Sequence, residues 1–294
     1  MTKTVKQEDK QLDGSWIYEK HTDDYGVNWK IDRFLYKGNT EFQEIAVAES
    51  KRWGKMLLLD GVVQTTENDE FMYHEMIAHV AMHSHPAIKN ILVIGGGDGG
   101  TLTQLIKHPA VERIDLVEID GQVIEISQRY FPGFQPGFSD PRTNIIIKDG
   151  IEYLKNFDGK DGKYDLIIVD SSDPAGPATG LFTRSFYSSV YDALGDDGMM
   201  VVQSESPLFY EDMFTSIYSN IYSVFSQAYV YTCTIPTYIS GPWTFTVGAK
   251  QYDPRSIITD KPVLAGLKYY NREVHQAAFA LPEFIKNMLM EARG

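Results

Sequence analysis

Apolar and polar residues alternate in short runs over the first quarter of the chain, then change rhythm. After a polar stretch, residues 1–14, come strand-like segments rich in aromatic and β-branched residues: Trp16-Ile17-Tyr18, Val27–Tyr36, Phe42–Ala48 and Lys55–Thr66. Turn residues such as Asp60-Gly61 separate them, and the pattern predicts a small antiparallel sheet. From Glu70 the period becomes helical. Phe71, His74, Glu75, Ala78 and His79 recur on one repeat, which His85-Pro86 stops. Apolar runs at Asn90–Ile94, Arg113–Glu118, Thr143–Lys148, Asp165–Val169 and Met199–Gln203 then alternate with helical stretches, the signature of a doubly wound α/β sheet. Two later runs, Ala228–Thr234 and Trp243–Gly248, have no long helix between them and are expected to close the sheet as an antiparallel pair. The expected division is a mobile polar tail over 1–14, an N-terminal β-sheet domain over 15–78 and a Rossmann-like domain over 79–294.

The loop after the first α/β strand carries the chemistry. Gly95-Gly96-Gly97-Asp98-Gly99-Gly100 satisfies G-x-G-x-x-G, and the next strand ends in Glu118, at the distance expected for an acceptor of ribose hydroxyls. In a dinucleotide loop the glycines let the backbone approach a pyrophosphate at a helix N-terminus. Asp98 would repel that anion. A nucleoside bearing a cation fits better, and so many glycines cost local stability that a ligand-free turn is the weaker reading. Ligands in open α/β sheets lie beyond the carboxyl ends of the strands, where Asp98, Glu118, Asp149-Gly150 and Asp170 all fall. Each alone reads as a loop cap. Together they make a proton-accepting, cation-binding cleft.

Metal chemistry has little support in these motifs. The hard-cation loop signature is absent, and Asp170 and Asp173 are separated by two serines in a turn. His74-Glu75-x-x-x-His79 sets its imidazoles roughly 140° apart around a helix, unlike the zinc-protease spacing. His79 and His83 share a face, but no third ligand is evident in the sequence, so they are expected to be ordinary surface or core histidines. No metal site is expected.

Composition narrows the class. At 294 residues with 43% hydrophobic content the chain can bury a full core. The net charge of −13 argues against nucleic acid, whose phosphates call for a basic face. No apolar run is long enough to span a membrane, the polar N-terminus does not read as a signal peptide, and the single cysteine, Cys233, fits a reducing compartment; a cytoplasmic protein without membrane partners is expected. Cys233 itself is expected to be a packed strand residue.

Several separated segments carry a family resemblance: Leu59–Thr66, Asp69–Met76, Val93–Gly100, Asp170–Pro177 and Ile235-Pro236-Thr237-Tyr238 with Gly241 and Trp243. They resemble the polyamine aminopropyltransferases, most closely the spermidine synthases, and the likeness runs from about Trp16 to Pro282. The resemblance implies a Rossmann-like sheet of the Class I methyltransferase type with a small N-terminal antiparallel β domain. It implies transfer of the aminopropyl group of decarboxylated S-adenosylmethionine to putrescine, giving spermidine and methylthioadenosine, with the donor a co-substrate and no metal or redox cofactor. On that likeness Asp170 is the proton acceptor. Donor binding falls to Gln43, His74, Gly95, Gly97, Asp98, Glu118, Asp149, Gly150 and Pro177, with Asp98 on the donor's ammonium. Acceptor binding falls to Tyr73, Asp173, Gln203 and Tyr238.

Other readings stay open: an S-adenosylmethionine-dependent N-methyltransferase of a small amine, a non-catalytic nucleoside or polyamine sensor, or aminopropyl transfer to cadaverine, agmatine or spermidine. The Gly- and Pro-rich segment Ser172–Leu181 reads as a loop that closes over both substrates. Exposed edges of the small sheet point to a homodimer or homotetramer.

Overall fold

In the N-terminal part, alternate residues of one strand serve two different cores. The computed structural model describes residues 15–160, 162–172, 176–225, 227–238, 241–258, 261 and 264–293, so the expected mobile tail lies outside the described residues. A two-stranded ribbon, β1 (Ser15–Lys20) and β2 (Gly26–Ile31), precedes a four-stranded antiparallel sheet of β3 (Arg33–Asn39), β4 (Glu44–Ser50), β5 (Gly54–Leu59) and β6 (Val62–Thr66). Ile45 and Val47 of β4 face the helix that follows, whereas Ala46 and Ala48 pack with Trp29, Ile31, Met56 and Leu58. The period-2 alternation therefore buries both faces of the sheet. The stretch Val27–Tyr36, expected as one strand, breaks at Asp32 into β2 and β3. Asp60-Gly61 makes the two-residue hairpin turn, with φ of 49° and 80°, the paired positive values that a type I′ turn demands.

Helix α1 (Glu70–Ser84) is buried on nearly every side from Tyr73 onward, so its periodicity marks the element without marking a solvent face. It also runs unbroken through residues 78 and 79, where a domain boundary was expected. It packs between the small sheet and the large one.

The large sheet alternates strands β7 (Asn90–Gly95), β8 (Arg113–Glu118), β9 (Thr143–Ile147), β10 (Tyr164–Asp170) and β11 (Leu194–Gln203) with helices. The helices are α2 (Gly100–Leu105), α3 (Gly121–Tyr130), α4 (Gln135–Ser139), α5 (Gly150–Lys155), α6 (Arg184–Ala193) and α7 (Glu211–Tyr222). Then come β12 (Gln227–Cys233), β13 (Trp243–Ala249), α8 (Arg272–Ala278) and α9 (Glu283–Glu291). The sheet order is β12-β13-β11-β10-β7-β8-β9, parallel except where β13 runs against both its neighbours. The expected antiparallel closure is thus observed. Leu92, Ile94, Ile167, Val169, Met200 and Val202 face one helical layer, and Ile91, Val93, Leu166, Ile168, Met199 and Val201 face the other. Burial on both faces is why these strands read as continuous apolar runs. Cys233 is buried at the end of β12, its thiol directed at the Met72 carbonyl. Among the described residues no helix is long and apolar enough to cross a membrane.

Candidate active site

Strand order reverses between β7 and β10, and the crevice beyond their carboxyl ends is where an open α/β sheet binds ligands. A cavity of about 310 Å³ lies there. Its walls include Gln43, Tyr73, His74, Gly95, Gly97, Asp98, Glu118, Asp149, Gly150, Asp170 and Tyr238, so residues expected from four separate strand ends and from the small sheet do converge. Among the described residues, neither Lys nor Arg lines it.

The glycine loop fits tightly because its neighbours leave no room for side chains. Gly95 and Gly96 have φ of 77° and 70°, and a Cβ on Gly95 would lie 2.4 Å from the Asp170 carbonyl oxygen. The Gly96 N–H donates to that same oxygen at 2.6 Å, tying the loop to β10. A Cβ on Gly97 would meet the Glu118 carboxylate at 2.8 Å, and one on Gly100 would meet the His74 ring at 2.1 Å.

His74 supplies a counter-charge that the composition of the cleft did not reveal. Its Nδ1 lies 2.7 Å from Glu70 Oε2 and its Nε2 3.2 Å from Asp98 Oδ2, so both ring nitrogens face carboxylates. Burial alone would push the imidazole pKa down, but Asp98 and Glu70 outweigh it and hold the group well above its usual value. Asp98 therefore shares its charge with an imidazolium, while its Oδ1 accepts the Gly100 N–H at 2.9 Å.

Asp170 ends β10 with both oxygens held: Tyr73 donates its hydroxyl to Oδ1 at 2.6 Å and Thr101 donates to Oδ2 at 2.6 Å. Burial raises its pKa and the nearby Asp98 charge adds to this, opposed by His74 and the two hydroxyl donors. Burial likewise lifts Glu118 to about 7, against backbone donors from Asp120, Gly97 and Ile119. Asp149 caps α5 through Oδ1, which accepts from Ile151 N at 2.7 Å, and the residue lines the cavity. Gln43 donates to Asp120 Oδ2 at 3.0 Å, joining the small sheet to the crevice.

A smaller cavity of about 40 Å³ adjoins the first and shares Val62, Gln64, Tyr73, Ser171, Ser172 and Tyr238 with it. Gln203 and Trp243 lie on this second wall. Tyr238 donates to the Gln64 carbonyl at 2.5 Å and Gln203 Nε2 reaches the Ser171 carbonyl at 3.4 Å. Asp173 lies outside the described residues, and Pro177 belongs to the 3₁₀ segment Gly176–Phe182, two of whose residues, Ala178 and Leu181, line the larger cavity.

The sequence pattern missed several wall residues. Glu19 and His21 of the ribbon and Tyr210 before α7 line the smaller cavity. Glu19 is buried, and its carboxylate accepts from the Trp29 indole at 2.5 Å. An acid within a strand-like run carries no motif; the one available signal was that Glu19 falls on the inward phase of its strand. Thr101 was hidden as the residue after the glycine loop.

The fold and the site together define a transferase of the Rossmann-like, Class I methyltransferase type. Residues 70–258 match the family model described as the spermine/spermidine synthase domain, and residues 15–67 match the spermidine synthase tetramerisation domain. Polyamine aminopropyltransferases of Caldicellulosiruptor saccharolyticus and Bacillus subtilis are 46% and 41% identical over 274 residues, 93% of this chain and 98% of each relative. A crystal structure of a spermidine synthase in complex with the transition-state analogue AdoDATO is 41% identical, with a TM-score of 0.88 over 98% of this chain and 99% of that one. The spermidine synthase of Thermotoga maritima superposes with a TM-score of 0.86 at 41% identity over 98% of each chain. The chain belongs to the spermine/spermidine synthase family of polyamine aminopropyltransferases.

Proposed function

We propose that this enzyme transfers the aminopropyl group of decarboxylated S-adenosylmethionine to putrescine, giving spermidine and methylthioadenosine. One observation carries the reading: a nucleoside-sized cavity and a smaller one meet at Tyr73 and Tyr238, and the doubly held Asp170 carboxylate on the wall of the larger one is hydrogen-bonded to Tyr73 at that junction. The donor's adenosine would lie against the glycine loop, with its ribose hydroxyls donating to Glu118, its adenine beside Asp149 and its ammonium beside Asp98. Putrescine would occupy the smaller cavity along Gln203 and Tyr238, with Asp173 on one ammonium and its attacking amine at Asp170.

Asp170 takes a proton from the attacking ammonium, and the freed nitrogen lone pair bonds to the aminopropyl carbon attached to sulfur. The carbon–sulfur bond breaks and its electron pair stays on sulfur, which leaves as a neutral thioether. Because the sulfonium is already an activated leaving group, the residues need to deprotonate, align and exclude water. No redox cofactor or metal enters this scheme.

Incubating the enzyme with putrescine and either decarboxylated or intact S-adenosylmethionine, and weighing the products, tests the reading. An adduct heavier by one aminopropyl group, formed from the decarboxylated donor alone, is expected. A methylated diamine would overturn it in favour of an N-methyltransferase. We infer a homotetramer, in line with the tetramerisation model over 15–67 and with the exposed Trp16, Tyr18 and Phe34 of the small sheets and Phe42 of the turn between β3 and β4. Light scattering that returned a monomer would refute this.

A further inference from the structure

Three histidines that the active site does not use come together on the far side of α1. His79 and His83 stand one turn apart on the helix, and the turn after α2 brings His108 against them. One side-chain nitrogen from each lies within 4.8 Å of the others, and all three residues are buried. The ring centroids are separated by 5.1 Å for His79–His108, 5.4 Å for His83–His108 and 6.0 Å for His79–His83. Three imidazoles on one tetrahedral ion, with metal–nitrogen bonds of about 2.0–2.1 Å, set their centroids roughly 5 Å apart. The sequence showed the helical pair, and the fold supplies the third member.

The tautomers point the same way. His79 Nε2 lies 3.2 Å from Gln104 Oε1, and Lys107 Nζ donates to that atom at 2.6 Å, which marks it as the amide oxygen, an acceptor. His79 Nε2 therefore carries the proton, and Nδ1 accepts from His108 Nε2–H at 3.0 Å; an ion between the two rings would take the place of that proton, which a neutral imidazole can carry on Nδ1 instead. His83 spends its Nδ1 proton on the His79 carbonyl at 3.0 Å, leaving Nε2 bare. Metal-bound histidines are oriented by such outer hydrogen bonds, one nitrogen donating to an amide or carbonyl oxygen while the other ligates.

We propose that His79, His83 and His108 form a binding site for one divalent transition-metal ion, of which zinc is the best fit. Three neutral nitrogen donors without a carboxylate suit zinc, copper or nickel and disfavour magnesium and calcium. The neighbouring cations Lys107 and Lys261 oppose any dication, which sharpens this selection toward ions that gain most from nitrogen. The ion would brace α1, which carries Tyr73 and His74 into the crevice, against the turn that ends α2. Tyr270 stacks on His83 at 4.9 Å and closes one side of the site.

Cobalt(II) titration of the chelator-stripped, full-length protein tests this, since a tetrahedral cobalt site has a strong visible d–d absorption. One equivalent per chain is expected, displaced by zinc and indifferent to magnesium, with a rise in melting temperature on zinc addition. His83→Phe, which keeps an aromatic ring against Tyr270, and His108→Gln should each weaken cobalt binding at least 100-fold while circular dichroism stays unchanged. Absence of a stoichiometric band in the folded wild-type protein would overturn the proposal. So would a titration that both variants leave unaltered, or one abolished by Asp98→Asn instead, because that would place the ion in the catalytic crevice among His74, Asp98 and Asp170.

Discussion

Tyr73 and Thr101 hold Asp170 in one orientation, and both donors favour its charged form against the burial that raises its pKa. Replacing it by Asn keeps the shape and removes the base. Asp170→Asn is expected to lower turnover by about 10²- to 10⁴-fold while donor affinity, read by calorimetry, stays near wild type. Glu118 carries a pH dependence of its own. Its folded-state pKa of about 7 lies above the usual 4.5, so the folded protein binds more protons than the unfolded chain between those values. The stability contributed by protonated Glu118 is therefore complete below about 4.5 and is lost as pH rises through about 7. Ribose hydroxyls donate to the ionised form. Nucleoside binding should accordingly strengthen from pH 6 to pH 8, and a flat Glu118→Gln profile beside a sloping wild-type one, measured by titration with methylthioadenosine, is the expected result.

Among the elements, the junction between β6 and α1 depends on a buried carboxylate. Asp69 accepts from the Thr66 hydroxyl at 2.6 Å, the Thr237 N–H at 2.9 Å and the Thr237 hydroxyl at 2.7 Å. It thereby fastens the start of α1 to the segment that carries Tyr238 into the crevice. Asp69→Ala leaves three donors without their acceptor in a buried place and should cost about 3 kcal/mol of stability, visible in a denaturant titration. The loss should come with a raised KM for the amine, since Thr237 lines the smaller cavity. A variant as stable as wild type would mean that water or relaxation replaces all three bonds.

For the whole molecule, the two joined cavities imply that the site measures its acceptor. If the far ammonium is held in the smaller cavity and the other nitrogen reacts at Asp170, a diamine of about four carbons is expected to fit best, and a shorter one strands an ion at a cost of several kcal/mol. Comparing kcat/KM for diaminopropane, putrescine, cadaverine, agmatine and spermidine should rank putrescine first and cadaverine next. Preference for agmatine or spermidine would refute the spacing argument while leaving aminopropyl transfer intact. The smaller cavity is walled by the N-terminal ribbon as well as by the large sheet, so a change in how the ribbon is seated should appear as a change in amine KM.

Local pattern was enough for the parts of the protein that local physics decides. Strands buried on both faces write themselves as continuous apolar runs, Asp60-Gly61 announces its turn, and Gly95–Gly100 announces a close backbone approach. Asp98, Glu118, Asp149 and Asp170 were legible as one crevice because strand ends in a doubly wound sheet share a side. What stayed hidden depends on contacts between residues far apart in the chain. The break at Asp32 and the continuity of α1 across residues 78 and 79 follow from the packing of the ribbon, the small sheet and the large one, and no local period records that packing. His74 becomes a counter-charge only when the glycine loop brings Asp98 to it, Glu19 becomes a cavity wall only when the ribbon folds over, and His108 joins His79 and His83 only when α2 lies along α1. Composition and period report what each residue prefers, whereas tertiary packing selects the neighbours that give a buried group its charge, its partner and its use.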